Sequence, residues 1–547
     1  MVKTRRILFL FVIPFVIYVV TLGFMPLMDP DEGRYALIPQ EMNARGDYIT
    51  PYLKGVVYLE KPPLVYWVTA FFFRLLGENA FSARLAVGLS AWGLILLIYL
   101  IGRHFRGEET GLVSAAIFSV SFLPFGLGRI SILDMPLTLF LSLAVWSGYL
   151  YFDGGREKRL PLYGMYFFSA CAFLTKGMVG VVFPFIILVI WLLWEKRWRD
   201  VLSLFSPVGM FIFLACAGPW LWAVQKANPD FFSFFFLREH ILRYTTTVHE
   251  RGGPIYYFIP ILIVGGLPWW FYLSGALKGI KKDTSFNLFR EGQIKFLFVW
   301  MMWPFVFYSL SSSKLIPYIL PSFPPLACLM GYLLLSKRGE AREGIWPQVQ
   351  SFFLLLLIGV PFFVPDWKTI HPLMWVWYAI PAAIQIFIMI FHRFIEINNA
   401  TNRYLMISFL FSLYLMSLIP IVGHYLTPGK SAFQVAQAVE RFLPAGEEIY
   451  QFRMSQYSLD FYLGRRTPLV DEQGELAPGV KKLPERERRH YFPTSKEFID
   501  DLAEGNVKYV LVDRGERVKW LLAQGLKIEV LWSNQKFYMF RLYMKQG

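Results

Sequence analysis

The feature that most constrains this chain is a succession of apolar segments, each long enough to cross the hydrocarbon core of a bilayer. A transmembrane helix needs about 20 mostly apolar residues. Such segments begin near Ile7, Phe81, Gly111, Met135, Leu162, Met178, Ser203, Ile255, Lys295, Leu315, Pro347, Pro372 and Tyr404. The chain is 56% hydrophobic and has a mean hydropathy of +0.44, which excludes an ordinary soluble protein. The sequence therefore predicts a mainly α-helical, polytopic membrane protein with roughly thirteen transmembrane helices.

Basic residues collect in alternate connections between these segments, which is typical of cytoplasmic loops. The groups are Arg103/Arg106, Arg156/Lys158/Arg159, Lys196/Arg197/Arg199, Lys278/Lys281/Lys282 and Lys337/Arg338/Arg342. They account for the net charge of +15 better than a nucleic-acid partner does. The first apolar run lacks a small-x-small cleavage site, so we expect a retained span with a cytoplasmic N-terminus.

An odd number of spans places residues 427–547 outside, after a transmembrane domain of residues 1–426. Their mixed composition predicts a small soluble α/β domain. Helices are expected at 431–443 and 494–504, and strands at 508–513, 527–533 and 537–543. Cys171, Cys216 and Cys328 lie in apolar stretches without ligand-like spacing, so they are interpreted as packing residues.

Two of the external connections are long, residues 29–74 and 225–254. Both are rich in aromatic, proline and charged residues, a mixture that favours helices lying at the membrane surface. We expect them to form a groove at the outer membrane face.

The densest group of unusual residues is Asp29-Pro30-Asp31-Glu32-Gly33-Arg34-Tyr35, directly after the first span. A lone acid there would be an ordinary solvated residue, but three acids and an arginine can place a base or metal ligand beside a phosphate-binding cation. The same loop continues with Glu60 and Lys61, whose backbone is restricted by Pro62 and Pro63.

Short external turns also carry cations, namely Arg129, Lys176 and Lys314. Together they would suit a lipid-linked phosphate, although each alone can be a snorkelling side chain. Asp134 stands at an external helix start, where stabilising the helix N-terminus competes with a catalytic role. His240 could join Glu60 in holding a metal, against an ordinary interfacial role.

Six short motifs stand out along the chain, namely Asp-Glu-Gly-Arg-Tyr-Ala, Gly-Asp-Tyr-Ile-Thr-Pro, Tyr-Leu-Glu-Lys-Pro-Pro-Leu-Val-Tyr-Trp, Leu-Asp-Met-Pro, Leu-Thr-Lys-Gly and Ser-Lys-Leu-Ile-Pro-Tyr-Ile-Leu-Pro. These motifs resemble those of the bacterial lipid A aminoarabinose transferases, which belong to the GT-C glycosyltransferases together with protein O-mannosyltransferases. They run from the first span toward the C-terminal segment, in the order and spacing of that family.

This resemblance implies roles for matched positions. Asp31 would be the principal catalytic carboxylate and Asp134 a second acid in the same cavity. The residues that would bind the donor phosphate or substrate are Arg34, Lys61, Tyr318, Lys176, Arg243, Tyr35 and Lys314. Glu60 and His240 would correspond to a divalent metal site, with zinc as the candidate ion.

The resemblance also implies an activity: transfer of 4-amino-4-deoxy-L-arabinose from undecaprenyl phosphate to lipid A, at the periplasmic face of a bacterial inner membrane, with residues 427–547 in the periplasm. Displacement in one step would invert the anomeric centre, and we expect the protein to be a monomer. Neither a P-loop nor a dinucleotide motif occurs, which fits a lipid-linked donor. Three alternatives stay open at this point: transfer of another polyprenyl-linked sugar to protein or an envelope glycan, transport of a lipid-linked sugar, and a receptor without catalysis.

Overall fold

The computed structural model describes residues 2–242, 252–273, 288–336, 379–388, 390 and 399–544. Among these residues, seven helices are long and apolar enough to cross a membrane. They are Thr4–Phe24, Ala80–Arg106, Asp134–Asp153, Pro207–Ala227, Gly292–Leu310, Ile316–Leu334 and Ala400–Lys430. The predicted multi-span, mainly helical architecture is therefore confirmed.

The predicted number of thirteen spans stays a prediction. Four of the expected spans form helices that are shorter than the 18 residues of a full crossing. These are Glu108–Val120, Leu160–Lys176, Val179–Trp194 and Phe258–Gly265. The expected span near Pro347 lies outside the described residues, and that near Pro372 is described only as the helix Ala379–Ile388.

Short helices also occur in the described part before residue 430. They are Asp31–Arg45, Leu64–Leu76, Phe122–Leu127, Trp198–Leu204, Ser233–Leu242 and Leu288–Arg290. The helix Asp31–Arg45 ends at Gly46, whose φ of 69° lies in the left-handed region that favours glycine. Residues 29–74, expected to form the first long connection, therefore contain helices at both ends with a small β-hairpin between them, while their placement outside the membrane stays a prediction.

The chain forms two compact units. The first comprises residues 1–22, 60–65 and 84–421, and the second comprises 23–59, 66–83 and 422–547. In the first unit, glycine allows helices to approach closely. A Cβ on Gly102 would lie 2.9 Å from the Cα of Gly111 on the next helix, a contact too short for any side chain.

The second unit contains a five-stranded sheet with the order β4-β3-β5-β7-β6. Its strands are β3 Ile449–Phe452, β4 Leu469–Val470, β5 Lys508–Val512, β6 Leu526–Ser533 and β7 Tyr538–Met544, and a small hairpin pairs β1 Tyr52–Leu53 with β2 Val56–Val57. Strand β3 is parallel to β4 and to the central strand β5, whereas β7 is antiparallel to β5 and β6. The three strands expected from the sequence are thus present as β5, β6 and β7.

Helices accompany this sheet. They are Phe433–Phe442, Tyr457–Leu463, Gly474–Leu476, Ala477–Val480, Glu485–Tyr491, Ser495–Ala503 and Gly515–Ala523. Two apolar clusters bury the sheet residues, one around Leu511 and one around Val510. Neighbouring residues of β5 belong to different clusters because successive strand side chains point to opposite faces.

A third cluster belongs to the first long connection. Leu27, Ala36, Phe73 and Ala83 pack with Phe461 of helix Tyr457–Leu463. Residues that precede and follow the bulk of the transmembrane part are thus joined in one unit. The domain boundary expected near residue 427 stays a prediction.

Candidate functional site

An acid, a lysine and a tyrosine meet in the first unit. The Nζ of Lys176 lies 2.5 Å from Oδ1 of Asp134, and both side chains are largely buried, with 14% and 10% of their surface exposed. The same Nζ lies 4.8 Å from the centre of the Tyr318 ring. Three positions that the sequence singled out separately therefore come together.

Local sequence explains how these side chains meet. Lys176 is the last residue of helix Leu160–Lys176, which ends because Gly177 takes a φ of 91°. Asp134 is the first residue of helix Asp134–Asp153, and Tyr318 lies in the 3₁₀-helical start of Ile316–Leu334. A carboxylate at a helix start and an ammonium at a helix end are each favoured by the helix dipole. Asp134 thus both begins its helix and binds the lysine.

Other cations of the first unit that the sequence singled out donate hydrogen bonds to nearby backbone carbonyl oxygens. Lys61 Nζ donates to the Glu60 carbonyl oxygen over 3.0 Å, and the buried Lys314 Nζ donates to the Ser311 carbonyl oxygen over 2.5 Å. Arg129 donates to the carbonyl oxygens of Ile17 and Thr21. Arg129 therefore satisfies backbone groups at the end of the first span.

A second group surrounds Arg34 in the second unit. The Arg34 side chain is buried, and its Nε forms an ion pair of 2.8 Å with Oε1 of Glu475. Its Nη2 lies 3.7 Å from Oδ1 of Asp31, whose side chain is 58% exposed. The Tyr457 hydroxyl donates to the same Glu475 oxygen over 2.8 Å. Burial, and then Glu475, raise the pKa of Tyr457 well above its ordinary value.

The expected residue Tyr35 also lies beside Arg34. Its ring centre is 5.8 Å from the Arg34 guanidinium carbon, and its ring stacks on Tyr66 with 6.1 Å between centres. Asp31, Arg34 and Tyr35 are thus neighbours on one helix, as the motif suggests.

Asp29, which starts the motif, is buried against helix Tyr457–Leu463. Its Oδ1 accepts from the Ser458 backbone N–H over 2.9 Å, and its Oδ2 accepts from the Ser458 hydroxyl. Burial raises the pKa of Asp29 to about 7, although the hydrogen bonds from Ser458 oppose that rise. Gly33 is required here, because a Cβ on it would clash with Oδ1 of Asp29 and the backbone of Ser458.

Sequence reasoning missed Glu475 and Ser458. Both lie in the C-terminal segment, far along the chain from Arg34 and Asp29, and no local motif marks them. Only the fold brings them to the first long connection.

Of the proposed metal ligands Glu60 and His240, the side chain of His240 lies outside the described residues. Arg243, expected to bind the donor, also lies outside them. Among the described residues, no three His, Cys, Asp or Glu side chains converge in a way that could hold a metal ion.

Two family models match the chain. Residues 60–222 match the model described as dolichyl-phosphate-mannose-protein mannosyltransferase. Residues 435–540 match the aminoarabinose transferase C-terminal domain. The first range includes Lys61, Asp134 and Lys176, and the second includes Ser458 and Glu475.

Curated proteins that are similar to this chain carry the name of an aminoarabinose transferase. The undecaprenyl phosphate-alpha-4-amino-4-deoxy-L-arabinose arabinosyl transferase of Shewanella sediminis is 33% identical over 331 residues, which cover 60% of this chain and 60% of that protein. The enzyme of that name from Pectobacterium atrosepticum is 35% identical over 347 residues, covering 63% and 61%. The resemblance to the aminoarabinose transferases is confirmed. The chain spans 60% and 61% of the length of these two relatives.

A solved structure extends the similarity over almost the whole chain. The crystal structure of ArnT from Cupriavidus metallidurans, bound to undecaprenyl phosphate, covers 98% of this chain and 97% of its own, with a TM-score of 0.80 and 25% identity. The aminoarabinose-transferase-like fold therefore includes both compact units of this chain.

Proposed function

We propose that this chain is a glycosyltransferase that moves 4-amino-4-deoxy-L-arabinose from undecaprenyl phosphate to lipid A. The observation that carries the proposal is the buried Lys176 ammonium, paired with Asp134 beside the Tyr318 ring. A buried cation at a helix end is the kind of group that a lipid-linked phosphate needs in a membrane. The names of the relatives and the undecaprenyl phosphate in the solved ArnT structure support this choice of donor.

The reaction makes one bond and breaks one. An acceptor oxygen bonds to the anomeric carbon of the sugar, the bond from that carbon to the donor phosphate oxygen breaks, and the phosphate leaves with the electron pair. Polyprenyl phosphate is already a stable anion, so the enzyme chiefly has to bind its charge. Displacement in one step inverts the anomeric centre.

We assign roles to residues on this basis. Asp31, the more exposed acid, would position the acceptor and take the proton from an acceptor hydroxyl. Asp134 would act as the second acid, holding Lys176 in place until a phosphate competes for it. The donor phosphate and sugar would be bound by Arg34, Lys61, Lys176, Tyr318, Tyr35, Lys314 and Arg243. Glu60 and His240 are retained as a proposed zinc site.

We further propose the cellular setting that the charge pattern favours. The chain would lie in a bacterial inner membrane with about thirteen spans and a cytoplasmic N-terminus. Residues 427–547, which contain the five-stranded sheet, would form an α/β domain in the periplasm and the protein would act as a monomer.

The decisive experiment uses the purified chain in detergent, with synthetic undecaprenyl-phosphate aminoarabinose and lipid A, and follows the products by mass spectrometry. A lipid A product carrying the added sugar, formed where no membrane separates two compartments, supports a transferase and excludes a pure transporter. Donor consumption only with a protein or another glycan as acceptor would replace lipid A in the proposal. A folded chain that consumes donor with none of these acceptors would refute transferase activity.

A further inference from the structure

Asp29 begins the Asp29–Tyr35 motif, and the proposed mechanism gives it no task. It lies two residues before helix Asp31–Arg45, whose first turns carry Asp31 and Arg34. Its two carboxylate oxygens accept separately from the N–H and the hydroxyl of Ser458, and its own N–H donates to the Lys430 carbonyl oxygen over 2.6 Å. Asp29 is thus bound at three points.

Ser458 is fixed in turn by its surroundings. Its side chain is fully buried, and its oxygen accepts from the Ala432 N–H over 3.1 Å while the hydroxyl donates to Asp29. Because Ser458 lies in the first turn of helix Tyr457–Leu463, the Asp29 carboxylate also satisfies a free N–H group at that helix start. We call this arrangement the Asp29–Ser458 clamp.

The clamp leaves helix Asp31–Arg45 no room to shift. Gly33 packs so closely on Asp29 and Ser458 that even a methyl group would not fit. Arg34, which forms the ion pair with Glu475, directly follows this fixed contact at Gly33. Movement of the clamp would move both Asp31 and Arg34.

We propose that Asp29 is a positioning residue, which through Ser458 holds the side chains of Asp31 and Arg34 in the geometry that sugar transfer requires. This inference rests on the proposed function. Asp29 itself is buried and touches neither donor nor acceptor in this account. Small displacements of catalytic groups are costly, since a shift of about 1 Å can lower a rate by about 100-fold.

The clamp is strongest with Asp29 ionised, because both of its oxygens then accept from Ser458. Among the described residues, the charged and titratable groups around it are Tyr457 and Asp460 on the facing helix, Lys536 before β7, Lys430 on the preceding helix, and Glu32 and Arg34 on the helix that follows it. Burial, with a further contribution from Asp460, raises the pKa of Asp29 to about 7. We therefore expect the turnover of the wild type to fall as the pH drops below about 7.

The chain contains a matched control. Asp471 makes the same pair of bonds to Ser495, from the backbone N–H over 2.9 Å and from the hydroxyl, but this clamp holds helix Ser495–Ala503. Although burial opposes ionisation of Asp471, the hydrogen bonds from Ser495 lower its pKa below the ordinary value. Asp471→Asn therefore removes an equivalent clamp in the same unit without touching helix Asp31–Arg45.

The test compares wild type, Asp29→Asn, Ser458→Ala, their double variant and Asp471→Asn from pH 5.5 to 8.5. We expect Asp29→Asn to lower kcat by about 10-fold to about 100-fold, with little change in donor KM and no inflection near pH 7. Ser458→Ala should lower kcat similarly, and the double variant should be no worse than the single ones. Asp471→Asn should keep the wild-type kcat and pH profile.

Hydrogen exchange gives a readout that does not need turnover. Asp29→Asn should speed exchange of the amides in 31–38, whereas Asp471→Asn should speed it only near 495–503. If the folded wild type transfers no sugar, the proposed function fails while the exchange data still decide the positioning role. Equal kcat in Asp29→Asn and Asp471→Asn, or unchanged exchange in 31–38, would overturn the inference.

Discussion

Among single residues, the buried pair Asp134–Lys176 dominates the first unit. Removing one partner of a buried ion pair costs about 3–5 kcal/mol, because the other charge stays buried without compensation. Lys176→Gln should therefore lower the Tm of the purified chain and raise the donor KM. Thermal unfolding in detergent and donor titration measure these two effects.

The control for Lys176 is Lys295, which lies 2.8 Å from Glu195 in a somewhat more exposed pair. Lys295→Gln should lower the Tm less and leave the donor KM at its wild-type value. Equal donor KM values for Lys176→Gln and Lys295→Gln would contradict a phosphate-binding role for Lys176.

Gly33 gives a second prediction for a single residue. Gly33→Ala should destabilise the chain by about 1–3 kcal/mol, since overpacking forces neighbouring groups to move. Gly515→Ala is the matched change, because a Cβ on Gly515 meets nothing within 4 Å. Thermal unfolding of both variants checks this, and a Gly33→Ala variant as stable as Gly515→Ala would show that Ser458 can move away.

The local motifs identified Asp31, Asp134 and Lys176 from the sequence because each stands in a distinctive setting. Asp31 is close to an arginine, Asp134 stands at a predicted helix start, and Lys176 is followed by a glycine. They could not reveal that Arg34 binds Glu475, since the two residues approach only after the second unit has folded. The sequence also suggested Arg129 as a phosphate ligand, whereas the structure uses it to satisfy carbonyl oxygens of Ile17 and Thr21. An arginine at a helix end serves either purpose.

At the scale of elements, helix Ser495–Ala503 has a complete capping box. The Thr494 hydroxyl accepts from the Glu497 N–H, and Glu497 accepts from the Thr494 N–H. Thr494→Ala should lower the free energy of local unfolding of this helix by about 1 kcal/mol. This corresponds to about a fivefold rise in the rate of amide exchange across the helix. Unchanged exchange would mean that packing of Phe498 and Leu502 alone holds the helix.

Glu497 adds a pH dependence to the same helix. Hydrogen bonds from Arg488, and then from Thr494, lower the pKa of Glu497 to about 2. A carboxyl whose pKa is lowered by folding stabilises the folded state above its ordinary pKa of 4.5, and this contribution is lost as the pH falls toward about 2. The protection of the amides of helix Ser495–Ala503, measured relative to the intrinsic exchange rate at each pH, should therefore fall in acid more steeply in wild type than in Glu497→Gln.

Elements with a clear local signal were predictable, and short buried ones were not. The threonine that caps 494–504 and the β-rich runs of β5, β6 and β7 correspond closely to the structure. The inner strand β3 was missed because its four residues include the fully buried Gln451, whose amide donates to Thr467 over 2.8 Å. A buried polar residue interrupts the apolar pattern by which strands are recognised.

For the molecule as a whole, the second unit depends on bonds between distant parts of the chain. Lys54, in the turn of the β1–β2 hairpin, is fully buried and lies 2.5 Å from Asp460. Lys54→Met should destabilise the second unit by about 3–5 kcal/mol, and adding Asp460→Leu should recover most of that loss. The loss of stability and its recovery are measured by the Tm and by the rate of limited proteolysis of the full chain between residues 46 and 57.

The exposed pair Arg541–Glu529 serves as the control for Lys54, and its loss in Arg541→Gln should cost less than about 1 kcal/mol. If Lys54→Met were as stable as Arg541→Gln, the buried pair would not hold the hairpin. No sequence pattern suggested this bond, because pairing across the chain depends on the fold of the entire unit.

The measurement that tests the central claim most directly is sugar transfer to lipid A by the purified chain, comparing wild type with Asp31→Asn and Asp47→Asn. Both acids lie in the first long connection, but Asp47 accepts from the Ile49 and Thr50 amides of its own turn. We expect a lipid A product from wild type and from Asp47→Asn, and a loss of at least about 100-fold in Asp31→Asn. Full activity in Asp31→Asn, or none in folded wild type, would contradict it.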